Sequence, residues 1–131
     1  MPSRFPRLPH SPRTAHALAG LLAGAGVAHA AVPRLFDQIV PRSLPGSPRT
    51  WTYLSGAAEL GLAAAVAHPA TRRLGGYAAA GLFVAVFPAN VRMARDWRDR
   101  SAPLRAAAYG RLPLQAPLVW WALRVARDAE R

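Results

Sequence analysis

The stretch that decides the fold is Trp51–His68, WTYLSGAAELGLAAAVAH. Its eighteen residues contain no Arg, Lys, Asp or Pro, and one acid, Glu59, stands at the midpoint. As a helix it rises about 27 Å at 1.5 Å per residue, close to the ~30 Å hydrocarbon thickness of a bilayer. If that helix spans a membrane, Glu59 lies near mid-depth, where a carboxylate needs an interior partner or must lose its charge. On a soluble helix the same acid is an ordinary polar position.

The rest of the chain favours the membrane. Its 131 residues amount to one domain, enough for a single bundle of three or four helices. Apolar residues make up 52%, but Ala dominates them and the mean hydropathy is only +0.07. Thirteen Pro and ten Gly divide the chain into short pieces. All 17 basic residues are Arg, against six acids, for a net charge of +11. Such a charge invites a nucleic-acid reading, because neutralising phosphates releases counterions. The Arg residues, however, gather at 4/7/13, 34/42/49, 72/73, 92–111 and 124–131, between the apolar runs. Membrane loops carry charge in this way, whereas a nucleic-acid groove would line one face with interleaved aromatics. Nucleic acid is therefore not an expected partner. The absence of Cys excludes disulfides, thiolate metal sites and CxxC redox chemistry by this chain alone.

Residues 1–13 are rich in Pro and Arg and read as a disordered tail. Thr14–Val32 is the first apolar run and admits two readings. One is a signal peptide, with a basic lead, an apolar core and Ala28-His29-Ala30 as a small-residue cleavage site. The other is a membrane helix with Gly20 and Gly24 as a small-xxx-small seam. Pro33–Thr50 holds four prolines and reads as a connection, with LFDQIV as an apolar turn at the interface. Trp51–His68 and Leu74–Val91 follow, joined by a tight turn at Thr71-Arg72-Arg73. Arg92–Arg111 reads as a charged loop with a helical extension, and Leu112–Ala126 as the last and shortest run. The expected fold is all-α: a four-helix transmembrane bundle with spans at about 14–32, 51–68, 74–91 and 112–126. With four spans, eight Arg fall on one side and nine on the other, so the positive-inside bias gives no orientation.

Candidate site residues lie inside the runs. On a helix, Thr52, Ser55 and Glu59 fall at i, i+3 and i+7, a polar stripe that must face the bundle interior. A charged group at the centre of a lipid-facing helix costs about 2.5–3.5 kcal/mol. Glu59 is either a proton-exchanging or ligand-binding acid, or a structural acid that fixes packing. Asn90 is the expected partner of Glu59, or else satisfies the backbone carbonyl of Val84 that Pro88 leaves without its helical donor. His29 is a further candidate, with an interfacial polar role as the alternative. No spacing suggests a metal site, and no nucleophile triad, phosphate loop, HExxH or dinucleotide fingerprint is present, so no catalytic residue is assigned.

The order His29, PRLFDQIVPRSLPG (33–46), SGAAEL (55–60), PxxRRLG (69–75) and FPANVRMA (87–94) resembles the DoxX-like family of small bacterial membrane proteins. The resemblance covers about residues 29–127. It implies a four-helix bundle in the cytoplasmic membrane, with the first run retained as a span. It implies Glu59 and Asn90 as the family-like polar positions, with His29 and Pro88 beside them. Some members are linked to membrane redox complexes, including thiosulfate:quinone oxidoreductase and superoxide-handling assemblies, so a redox complex or a homo-oligomer is the implied partner. No cofactor is implied by the residues themselves, and a quinone enters only through the resemblance. The chain departs at Ala30, where such proteins often carry an aromatic ring. Two rival readings are a structural or assembly subunit without a ligand site, and a secreted basic helical protein after signal cleavage.

Overall fold

The computed structural model describes residues 12–130, and among these the fold is all-helical, without strands. Five helices follow in order: α1 (Arg13–Ala31), α2 (Pro33–Asp37), α3 (Pro48–Ala67), α4 (Arg72–Asp96) and α5 (Ala102–Ala129). Four are long, and α2 is a single short turn inside the connection that was expected to be irregular. The expected tail lies outside the described residues up to Ser11, and Arg13 already belongs to α1.

Local chemistry sets the helix ends. Ser47 caps α3 by accepting from the Thr50 amide, and Pro48 occupies the first turn, where its missing N–H costs nothing. This start lies three residues before the expected one. His68-Pro69 ends α3, since the residue before a proline is driven out of the helical region. The carbonyls left open there are then taken up from the next helix. Arg72 donates to Val66 and Ala67, and the Thr71 hydroxyl donates to Ala65. The expected loop at Arg92–Arg111 is mostly helix. α4 runs on to Asp96 and α5 begins at Ala102, leaving only residues 97–101 as a turn. The helix-forming run MARD carries α4 past the apolar segment, and Pro103 in the first turn of α5 suits its start.

The helices pack as two close pairs, α1 with α3 and α4 with α5, joined through α3 against α4 and more lightly through α1 against α5. The Trp121 indole donates to the Thr14 carbonyl across this last seam. The main core joins Ala15, Leu18 and Leu22 of α1, Ala63 and Val66 of α3, Ala79 and Ala80 of α4, and Ala122 and Val125 of α5. A smaller cluster of Met93, Ala94, Trp97 and Ala108 closes the opposite end, against Ile39 and Leu112.

Among the described residues nine of the fifteen buried apolar residues are Ala, so much of the interior is filled by helix backbones approaching closely. The closest crossings are at glycines. A Cβ on Gly26 would stand 2.9 Å from the Gly56 carbonyl, and one on Gly56 would stand 2.8 Å from His29 Cβ. A Cβ on Gly76 would meet Ala126 at 2.8 Å. The expected Gly20/Gly24 seam is absent. A Cβ at either position meets nothing within 4 Å, and Gly61 and Gly81 are equally open. Gly26, which lies outside that motif, makes the α1–α3 contact instead.

Substitution at the two kinds of glycine should therefore diverge. Gly56→Val is expected to lower stability by about 1–3 kcal/mol through overpacking. Gly24→Ala is expected to be neutral or slightly stabilising, because it removes chain entropy at no steric cost. Thermal unfolding of the two purified variants beside the parent protein checks the difference.

Candidate functional site

The Gly26–Gly56 crossing creates the site. His29 follows Gly26 by three residues and Glu59 follows Gly56 by three, so each side chain lies one turn beyond the point of closest approach. The two meet across the α1–α3 seam, with His29 Nδ1 3.7 Å from Glu59 Oε2 and both side chains largely buried, at 11% and 14% exposure. His29 Nδ1 also lies 2.7 Å from the Ala25 carbonyl oxygen. A carbonyl oxygen only accepts, so Nδ1 carries the hydrogen and donates it there. Glu59 Oε2 is fully buried and has no hydrogen-bond partner, alone in this among the described residues. Buried acceptors are almost always paired, so this oxygen is the exception in the bundle's polar interior.

Phe36 of α2 forms the outer wall of the site. Its ring stacks on His29 with centroids 3.7 Å apart and planes 22° from parallel. The aromatic neighbour of His29 is thus supplied from the connection. That connection is held down by Asp37, which accepts from the Thr52 hydroxyl at 2.6 Å and from Arg49 Nε at 2.9 Å. The Thr52 hydrogen bond, followed by Arg49, holds the Asp37 carboxyl below its ordinary value of 3.8. Trp51 donates to the Pro45 carbonyl, fixing the far end of the same segment.

A second polar group lies between α4 and α5. Asn90 Nδ2 donates to Gln115 Oε1 at 3.3 Å, and Gln115 Nε2 donates to the Phe83 carbonyl. Asn90 is therefore paired with Gln115, and the residue beside Glu59 is His29. The carbonyl that receives the amide is that of Phe83, one residue before the position that Pro88 frees. Arg111, one turn before Gln115 on α5, interacts electrostatically with Glu59 and approaches Met93 Sδ at 3.9 Å.

Of the residues singled out from the sequence, His29 and Glu59 come together at the α1–α3 seam, and Thr52 is bonded instead to Asp37 of the connection. Ser55 is half-buried on the same helix, and Asn90 stands in the second group. Asp37, Arg111 and Gln115 were not anticipated. Gln115 is the single uncharged polar residue between Leu112 and Ala126, and Asp37 is the single acid of the connection, so each carried a compositional signal. Among the described residues no cluster of His, Cys, Asp or Glu could hold a metal ion. A surface cleft of about 310 Å³ is lined by Ala31, Val32, Pro33, Arg34, Leu35 and Arg49, and contains none of the expected site residues.

Residues 18–126 match the model of a family described as a domain of unknown function (DUF8561). The chain belongs to that family. No curated protein and no solved structure matches it. The matched segment takes in every residue of both polar groups.

The Asp37 latch has a defined pH dependence. A carboxyl whose folded value is depressed contributes stability above its unfolded value and loses it as pH falls through the folded one. Amide exchange in residues 38–46, corrected for intrinsic chemistry, should thus be slow and constant above about pH 5 and accelerate below 3.8. Asp37→Ala should leave the segment fast-exchanging throughout.

Proposed function

We propose that this chain is a multi-pass integral membrane protein, a four-helix transmembrane bundle of the bacterial cytoplasmic membrane. In this reading it is an accessory subunit with an interior polar site at His29 and Glu59. The observation that carries this reading is the chemistry of the outward faces. Leu21, Val27, Leu54, Leu60, Leu74, Val84, Phe87, Leu114 and Trp120 are all exposed. The runs 14–31, 51–67, 74–91 and 112–123 contain no charged residue except Glu59, which is turned inward. A soluble bundle presents charge on its outer faces, and exposed apolar patches of this extent mark contact with lipid or protein.

α1 and α4 are long and apolar enough to cross a membrane, yet only 28% and 22% of their apolar windows are buried. A core helix of a soluble protein would be mostly buried. α3 and α5 fall short of the same test because polar groups dilute them. Those groups include Thr52, Glu59 and Gln115, which are wholly or largely shielded within the bundle, so the outward sides keep an apolar character. α4 and α5, at 25 and 28 residues, are longer than a ~30 Å core requires. Their excess carries the Arg-rich turn and the smaller core cluster beyond it.

The redox-associated role, with a membrane redox complex as partner and a quinone headgroup as ligand class, draws on the DoxX-like motifs SGAAEL, PxxRRLG and FPANVRMA. A purely structural subunit is the second reading, favoured by Gly20 and Gly24, which lie one turn apart and open to the outside. Cleavage after Ala30 would remove Leu18 and Leu22, two of the largest fully buried side chains, and with them the main core.

Carbonate extraction of membranes, combined with reporter fusions at each terminus, tests the reading. The protein is expected to stay in the pellet with both termini on one side. Recovery in the soluble fraction, with an N-terminal sequence starting at Ala31, would establish the secreted form instead.

A further inference from the structure

We propose that the ligand of the His29–Glu59 site is a proton, and that the Nδ1–H of His29 is a hydrogen-bond switch that reports its arrival. The proposal rests on the interior polar site argued above and names what that site binds. The imidazole N–H has two acceptors in reach, the Ala25 carbonyl at 2.7 Å and the Glu59 carboxylate at 3.7 Å. In the conformation described it has chosen the carbonyl, and Glu59 Oε2 is left buried and unpaired. That choice suits a neutral imidazole, for which a nearby carbonyl satisfies the donor. A proton added at Nε2 converts the ring to imidazolium. The positive charge then favours the carboxylate, since charge-assisted hydrogen bonds are shorter and about twice as strong as neutral ones. A shift of about 1 Å brings Nδ1 within bonding distance of Oε2. One proton is taken from water, no covalent bond beyond N–H is formed, and the pair passes from net negative to net neutral.

The surroundings are arranged for this exchange. α5 contributes Arg111, whose charge acts on Glu59. The connection contributes Asp37, already committed to Thr52 and Arg49. α4 contributes the neutral amide of Asn90, bound to Gln115, while its Arg92 pairs with Asp96 at 3.9 Å. Glu59 therefore has two cationic neighbours, one permanent and one that appears on protonation. Phe36 stacks flat on the His29 ring, so movement of the imidazole toward Glu59 is felt directly by α2. The Asp37 latch sits one residue beyond.

The test uses the absence of other signals. The chain has two Glu residues, and Glu130 lies at the exposed C-terminal end. In protein carrying Glu130→Gln together with His10→Gln, His16→Gln and His68→Gln, and made with carboxyl-labelled glutamate, Glu59 is the single labelled carboxyl and His29 the single histidine. Infrared pH-difference spectra of this protein in lipid nanodiscs or in buffer, whichever it occupies, should show the Glu59 carboxylate band and the band of a ring-labelled histidine changing together in one transition. Glu59→Gln, which keeps the shape of the site, should remove the first band and displace the second. His29→Gln should remove the histidine transition and shift the glutamate band. Independent transitions, or a histidine transition unmoved by Glu59→Gln, would overturn the proposal. Neither result depends on whether carbonate extraction finds the protein in the membrane.

Discussion

Everything in this bundle depends on how closely its helices approach at Gly26–Gly56 and Gly76–Ala126. At these crossings a single Cβ would stand under 3 Å from its neighbour, so only glycine on one side and a small residue on the other can be accommodated. Close approach leaves little space for large side chains at the crossings, and Ala accordingly supplies nine of the fifteen buried apolar positions among the described residues. Many bulky side chains, among them Leu54, Leu60, Leu74, Val84, Leu114 and Trp120, stand outward. In lipid, where apolar burial gives little drive for association, small residues and van der Waals contact are what hold helices together.

The same constraint makes the polar site. His29 and Glu59 are thirty residues apart, but each stands three residues after a glycine at one crossing. Their side chains have nowhere to go except toward each other. Removing two titratable groups from water is costly unless they are paired. In this arrangement the pairing is one hydrogen bond short, since the imidazole proton is engaged by Ala25 while Oε2 waits unpaired. The second group, at Asn90 and Gln115, differs in kind. Its donors and acceptors are matched, and Gln115 reaches a backbone carbonyl near Pro88. It reads as the element that joins α4 to α5, whereas the first group retains an open valence.

Much of this was legible in the sequence, but not evenly. The four apolar runs gave the four long helices, because helix-length runs free of charge have few other fates. Their ends were less accurate. Pro48 and Pro103 sit in first turns, where proline starts a helix, and MARD extends α4 by propensity rather than hydropathy. The stripe at Thr52, Ser55 and Glu59 identified the inward face of α3 correctly for Thr52 and Glu59. Partner assignments were beyond reach, since they depend on which helices cross and at what register. Gly20 and Gly24 have the familiar spacing, yet the crossing falls at Gly26. The rotation of α1 that follows brings His29, and not Asn90, to Glu59. Phe36 and Asp37 escaped notice because a proline-rich connection carries no periodicity from which a packed face can be read.

The central claim is that the large apolar side chains on the outside face hydrocarbon. The chain has no native cysteine, so single substitutions Leu54→Cys, Leu60→Cys, Val84→Cys and Leu114→Cys can each carry one spin label, with Ala63→Cys and Ala79→Cys as inward controls. Oxygen partitions into lipid and a water-soluble nickel chelate does not, so their relative collision rates report what each site faces. In bilayers the four outward labels should favour oxygen strongly, with the two inward labels shielded from both. Outward labels that collide chiefly with the nickel chelate would contradict the account.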